Sequence, residues 1–151
     1  MVELIVNTKL DAKTDEEVIS SLSQQMEKKG YVKPTYKNAV LARERELPTG
    51  LKGESIGIAI PHTDNNHVNQ LSVSIATLAN PVTFQLMEDP SQNVDVEVVF
   101  LLAVSEPKDQ TMLLKAVMGI LKDNTLLTSI RNAESEETLK VLLDQSILAK
   151  K

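Results

Sequence analysis

The stretch "VDVEVVFLLAVS", residues 94–105, changes character halfway along. It starts by alternating apolar and charged residues, the period-2 pattern of a strand with one wet face. From Val98 to Val104 every residue is apolar. A short run of that kind indicates a central strand covered on both faces, and covering both faces takes helices.

The chain on either side supplies them. Downstream, "DQTMLLKAVMGILKD" places Leu113, Leu114, Val117, Met118 and Leu121 on one helical stripe, with Gln110 on the same side near the helix start. "NTLLTSIRNA" reads as a further turn or short helix, and "SEETLKVLLDQ" as a helix capped by Ser135. Upstream, "LSVSIATL" and "LIVNTKL" read as strands, with "PVTFQL" a candidate short one. "TDEEVISSLSQQMEKKGY" is a helix with a Thr14–Glu17 capping box, a stripe of Val18, Ile19, Leu22 and Met26, and a stop at Gly30.

Pro34 and Thr35 open a second helix, "TYKNAVLARERE". Tyr36, Val40, Arg43 and Leu47 share one of its faces, which puts an arginine where a core residue belongs. A guanidinium buried without partners is very costly, so Arg43 must snorkel or face a polar pocket. A turn-rich connection, "PTGLKGE", then leads to the strand "SIGIAI". Ile56, Ile58 and Ile60 lie on one side of that strand, while Gly57 and Ala59 leave room for close packing on the other. The expected fold is an α/β sandwich: a single domain over residues 1–151, with a mixed sheet of about five strands flanked by helices on its faces.

Composition narrows the chemistry. The chain has 151 residues, 42% of them apolar and only 3% aromatic, so Ile, Leu, Val, Met and Ala must build the core. A net charge of −5, with Lys and Arg scattered among more numerous acids, argues against nucleic acid as a partner. The absence of Cys removes disulfides, thiolate catalysis and Cys-based metal sites. No apolar run reaches the roughly 18 residues of a membrane span. The N-terminus "MVELIVNTKL" is too acidic for a signal peptide, so the expectation is a cytoplasmic protein without membrane insertion.

The strand at residues 55–60 ends in Pro61-His62-Thr63-Asp64, and His62 is one of two histidines in the chain. A histidine there can be a plain surface residue. His62, Asp64 and His67 form an H-x-D-x-x-H triplet of metal-ligand types, although the spacing matches no zinc pattern. Ser, His and Asp are present without a G-x-S-x-G elbow, and neither phosphate-loop nor dinucleotide glycine motif occurs. A fourth reading makes His62 a nucleophile toward phosphorus, since a neutral imidazole can attack a phosphoryl group without thiol or metal. The product would carry about −1.5 to −2 charges and need a cation alongside. Arg43 can supply it, with Thr49 and Thr63 donating to the remaining oxygens. This reading accounts for both the strand-end histidine and the inward arginine.

"RERELPTGL" followed by "GIAIPHT" resembles the enzyme IIA component of the sugar phosphotransferase system, in the fructose–mannitol–galactitol class. Spacing from the Thr-Gly turn selects Arg43 and Glu44 as the family's Arg-Glu pair. The resemblance implies that His62 takes a phosphoryl group from phospho-HPr and passes it to a cysteine on an enzyme IIB partner, which serves a membrane IIC subunit. No cofactor or metal enters that route. Several relatives carry a second histidine at the start of the helix after the central strand; Gln110 stands there here, able to hydrogen-bond but not to carry charge. His67 matches no family position and reads as a solvated loop residue. The run "RERELPTGL" and the glutamine resemble galactitol-type components most. The rival reading is a regulatory, nitrogen-type enzyme IIA whose phosphohistidine signals to partner proteins.

Overall fold

The apolar run lies in β5 (Asn93–Ala103), the middle strand of a five-stranded mixed sheet. This computed structural model describes residues 2–146, so position 1 and positions 147–151 of the expected 1–151 unit lie outside it. The sheet is ordered β1-β4-β5-β3-β2, with β1 (Glu3–Leu10) parallel to β4 (Ser72–Gln85) and β4 antiparallel to β5. On the other side β3 (Gly57–Ala59) runs parallel to β5 and pairs antiparallel with β2 (Gly50–Lys52) at the edge.

Alternation along β5 builds two cores from one strand. Val98, Phe100 and Leu102 face α3 (Pro107–Lys122), α4 (Asn124–Asn132) and α5 (Glu136–Ser146). Val99, Leu101 and Ala103 face α1 (Asp15–Lys28) and α2 (Tyr36–Glu46). All six are buried, which explains why this half of the strand carries no polar residue. The expected α/β sandwich is the observed architecture.

Several local expectations shift. "PTGLKGE" is not turn alone, because Gly50–Lys52 forms the edge strand β2. "LSVSIATL" and "PVTFQL" belong to one strand, β4. It is irregular where they join: β4 advances from Thr77 to Val82 while β5 advances only from Val98 to Val96. The excess residues Ala79, Asn80 and Pro81 are exposed, and Pro81 is tolerated there because it has no N–H to give a ladder. The α1 capping box is offset. The Thr14 hydroxyl accepts from the Glu17 N–H at 3.1 Å, but the Glu17 carboxylate reaches back to the N–H of Lys13 rather than Thr14. On α3 the buried stripe takes in Ala116 and Ile120, leaving Leu114 and Met118 only partly covered. Ser135 caps α5 as expected, accepting from the Thr138 N–H at 3.1 Å.

Gly57 is where β3 meets β5 most closely. A Cβ there would overlap the Asp95 carbonyl oxygen and stand 2.8 Å from Val94 Cγ2. Gly57→Ala should therefore destabilise the protein by about 2–3 kcal/mol, through overpacking against immovable backbone. Gly119→Ala, where a Cβ on α3 meets open space, should instead stabilise by about 1 kcal/mol. Urea denaturation of the two variants checks the contrast; a tolerated Gly57→Ala would mean that the strands can separate.

Candidate functional site

The C-terminal end of the central strand sets the site. The Leu102 N–H donates to the Pro61 carbonyl at 3.0 Å, continuing the β3–β5 ladder past the end of β3. The Leu102 carbonyl accepts a 2.6 Å hydrogen bond from the hydroxyl of Tyr36, which is fully buried on α2. Burial holds that phenol neutral, well above its ordinary range, and so keeps it a donor. One residue of β5 thus fixes both the approach to His62 and the helix that carries Arg43 and Glu44.

His62 is half-buried, and its Nδ1 lies 2.8 Å from the Ile60 carbonyl oxygen. A carbonyl only accepts, so Nδ1 carries the proton and Nε2 keeps a free lone pair. Burial, foremost, lowers the imidazole pKa from 6.5, and the Arg43 guanidinium adds to that. The Ile60 hydrogen bond and the Asp64 carboxylate pull the other way without overcoming it. The ring favours the neutral form with a defined tautomer, an arrangement that can act as a nucleophile.

Behind it runs a buried relay. Ile60 N–H donates to Thr49 Oγ1 at 3.2 Å, and the Thr49 hydroxyl and N–H each donate to the Glu44 carboxylate at 2.9 Å. Thr49 and Glu44 are both buried. Burial raises the Glu44 pKa to about 7, against the two Thr49 hydrogen bonds that favour the charged form.

The inward charge on α2 is therefore Glu44 rather than Arg43. Tyr36, Val40 and Glu44 follow a 4, 4 spacing and are buried, whereas Leu47, expected on the stripe, is 55% exposed at the helix end. The turn after α2 explains the choice: Thr49 folds back and offers the carboxylate two donors, which nothing offers an inward guanidinium. Arg43 sits at the rim with 36% of its side chain exposed, its Nη1 4.0 Å from Asp64 Oδ1.

The other expected residues fall at different distances from the chemistry. Thr63 is buried beside His62. Gln110 is half-buried in the first turn of α3, with no hydrogen bond to His62 among the described residues; the buried polar side chain of that turn is Asp109. His67 is not merely a solvated loop residue. Its Nδ1 lies 2.8 Å from Thr35 Oγ1, and its carbonyl accepts from the Lys33 N–H at 3.0 Å, which pins the loop to the approach to α2. Among the described residues no three His, Asp or Glu side chains, His62, Asp64 and His67 included, are grouped as a metal-ion ligand set. The residue that sequence reasoning missed is Asp64 as the ion-pair partner of Arg43.

Comparison with known proteins adds an independent line. The family profile described as "Phosphoenolpyruvate-dependent sugar phosphotransferase system, EIIA 2" matches residues 2–146. The galactitol-specific EIIA component of Escherichia coli K12 is 32% identical over 148 residues, covering 95% of this chain and 98% of that protein. The crystal structure of IIA mannitol from Escherichia coli superposes with a TM-score of 0.76 at 26% identity, covering 91% and 94% of the two chains. The complex of enzyme IIAMTL and phosphorylated enzyme IIBMTL from Escherichia coli gives 0.76 at 25% identity over 93% and 94%.

Glu44 makes the native state hold a proton that the unfolded chain releases between pH 4.5 and about 7. Its contribution is full below 4.5 and is lost as pH rises through 7. His62, whose folded pKa is depressed, acts oppositely: stability falls as pH drops below 6.5. In Glu44→Gln the amide mimics the protonated acid, with the carbonyl accepting from Thr49 N–H and the NH2 donating to Thr49 Oγ1. The variant's unfolding free energy relative to wild type should therefore rise from pH 5 to pH 8, as measured by denaturant titration. A pH-independent difference would mean that Glu44 is ionised throughout. Imidazole NMR should show His62 as the Nδ1–H tautomer, titrating below pH 6.5.

Proposed function

The chain belongs to the EIIA 2 family of the phosphoenolpyruvate-dependent sugar phosphotransferase system, and from that premise we propose that His62 is its phosphoryl carrier. The observation that carries this reading is the 2.8 Å contact between His62 Nδ1 and the Ile60 carbonyl, which leaves Nε2 as the reactive nitrogen. Nε2 attacks the phosphorus of phospho-HPr; the new N–P bond forms as the donor's N–P bond breaks, and the electron pair returns to the donor imidazole. The ring gains positive charge in this step, so the Ile60 hydrogen bond strengthens as the reaction proceeds. A cysteine thiolate of enzyme IIB then attacks the same phosphorus, and His62 leaves as the neutral imidazole it was.

Each neighbour has a part in this scheme. Arg43, at the rim, offers a guanidinium to the incoming oxygens. Glu44 and Thr49 act through the backbone, holding Ile60 and thereby the tautomer. Thr63 and Gln110 are the polar side chains assigned to donate to the remaining phosphoryl oxygens. The match over residues 2–146 supports the chain working as one EIIA domain. The solved complex of the mannitol relative supports an enzyme IIB partner, with membrane IIC reached through it. Likeness to galactitol-specific components over nearly the full chain favours galactitol as the sugar. No helix among the described residues is long and apolar enough to cross a membrane, and the proposed route keeps the carrier in the cytoplasm.

Incubation with phospho-HPr tests the site. His62→Ala should take no label, His67→Ala should keep most of it, and Arg43→Ala should load about 100-fold more slowly without loss of fold. Labelling of His62→Ala would overturn the assignment. Transfer from the loaded protein to a galactitol-type IIB separates a transport role from a regulatory one; absence of transfer to that acceptor would turn the reading toward the regulator.

A further inference from the structure

Asp64 has no structural task that accounts for its position. It precedes the short 3-10 turn at Asn65–His67, yet its side chain makes no capping hydrogen bond there, and it is 74% exposed. The loop is anchored without it: Thr35 and the Lys33 N–H hold His67, Lys33 Nζ donates to the Asn66 carbonyl, and Asn65 Nδ2 donates to the Ser105 carbonyl at 3.3 Å. What this framework does is present a carboxylate two residues beyond His62, 4.0 Å from the Arg43 guanidinium. Its charge is also felt at the imidazole, where it opposes that of Arg43.

We propose that Asp64 is a positioning residue for phosphoryl transfer, holding Arg43 while His62 is empty and competing with the phosphoryl group for Arg43 once His62 is loaded. This rests on His62 being the carrier. When the N–P bond forms at Nε2, about −1.5 to −2 charges arrive beside a guanidinium already turned toward Asp64. Arg43 cannot serve both anions fully, and the displaced carboxylate remains fixed in the same loop. Both effects raise the energy of the loaded state relative to the empty one. A carrier must give up its cargo as readily as it takes it, and Asp64 prevents the site from becoming a phosphate trap. The effect is modest because both charges are partly in water.

The test is the equilibrium between phospho-HPr and the full-length protein, read by 31P NMR at low salt. Asp64→Asn should shift it toward loaded His62 about threefold to tenfold and slow discharge to a thiol acceptor. Asp64→Glu, which restores the charge, should return the equilibrium to within twofold of wild type, and 1 M salt should shrink the Asn effect. Thermal melts of both variants separate these outcomes from unfolding. An equilibrium unchanged in Asp64→Asn, or moved toward empty His62, overturns the proposal. A wild-type protein that takes no phosphoryl group removes the carrier reading itself, and the proposal with it.

Discussion

Ile60 is held by both of its backbone polar groups, and the site depends on that. Its N–H is fixed by Thr49 Oγ1, its carbonyl fixes His62 Nδ1, and Thr49 is in turn fixed by the buried Glu44. A strand end would ordinarily leave such groups to water and its last side chains to fraying. Here two residues, Glu44 on α2 and Thr49 in the turn after it, lock the backbone, and Nε2 of the ring is left with its lone pair free. The arrangement places a costly group, Glu44, where two donors from Thr49 satisfy it. Its elevated pKa is the residue of that cost.

The electrostatics around His62 are balanced rather than maximised. Burial and Arg43 favour the neutral ring, whereas the Ile60 carbonyl and Asp64 favour the protonated one. In the proposed transfer the neutral form is the nucleophile, and the cationic form resembles the ring after attack. A site that strongly preferred either would load or unload poorly. Partial exposure of both Arg43 and Asp64 keeps their influence small, which would suit the proposed phosphoryl carrier.

Much of the fold was legible because it follows from periodicity. The apolar run of β5, the α1 stripe and the Gly30 stop each express a local rule, and the structure follows them. β2 was missed because its three residues carry no alternation of their own; they are a strand only because β3 lies alongside. The α2 stripe was misread at its end for a related reason. Spacing alone admits either Arg43 or Glu44 on the inner face, and the decision belongs to Thr49, five residues on from Glu44, whose folding back no helical wheel contains.

The sequence by itself determined the α/β layering, the strand that leads to His62 and the absence of any thiol, because those depend on residue type and local period. Tertiary structure alone decided which nitrogen of that imidazole is free, which of two adjacent charges on α2 is buried, and that Asp64 reaches Arg43 across the loop. The reason is physical: a tautomer, a burial cost and an ion pair are each settled by the partner that long-range packing brings near, and such partners have no signature in local spacing.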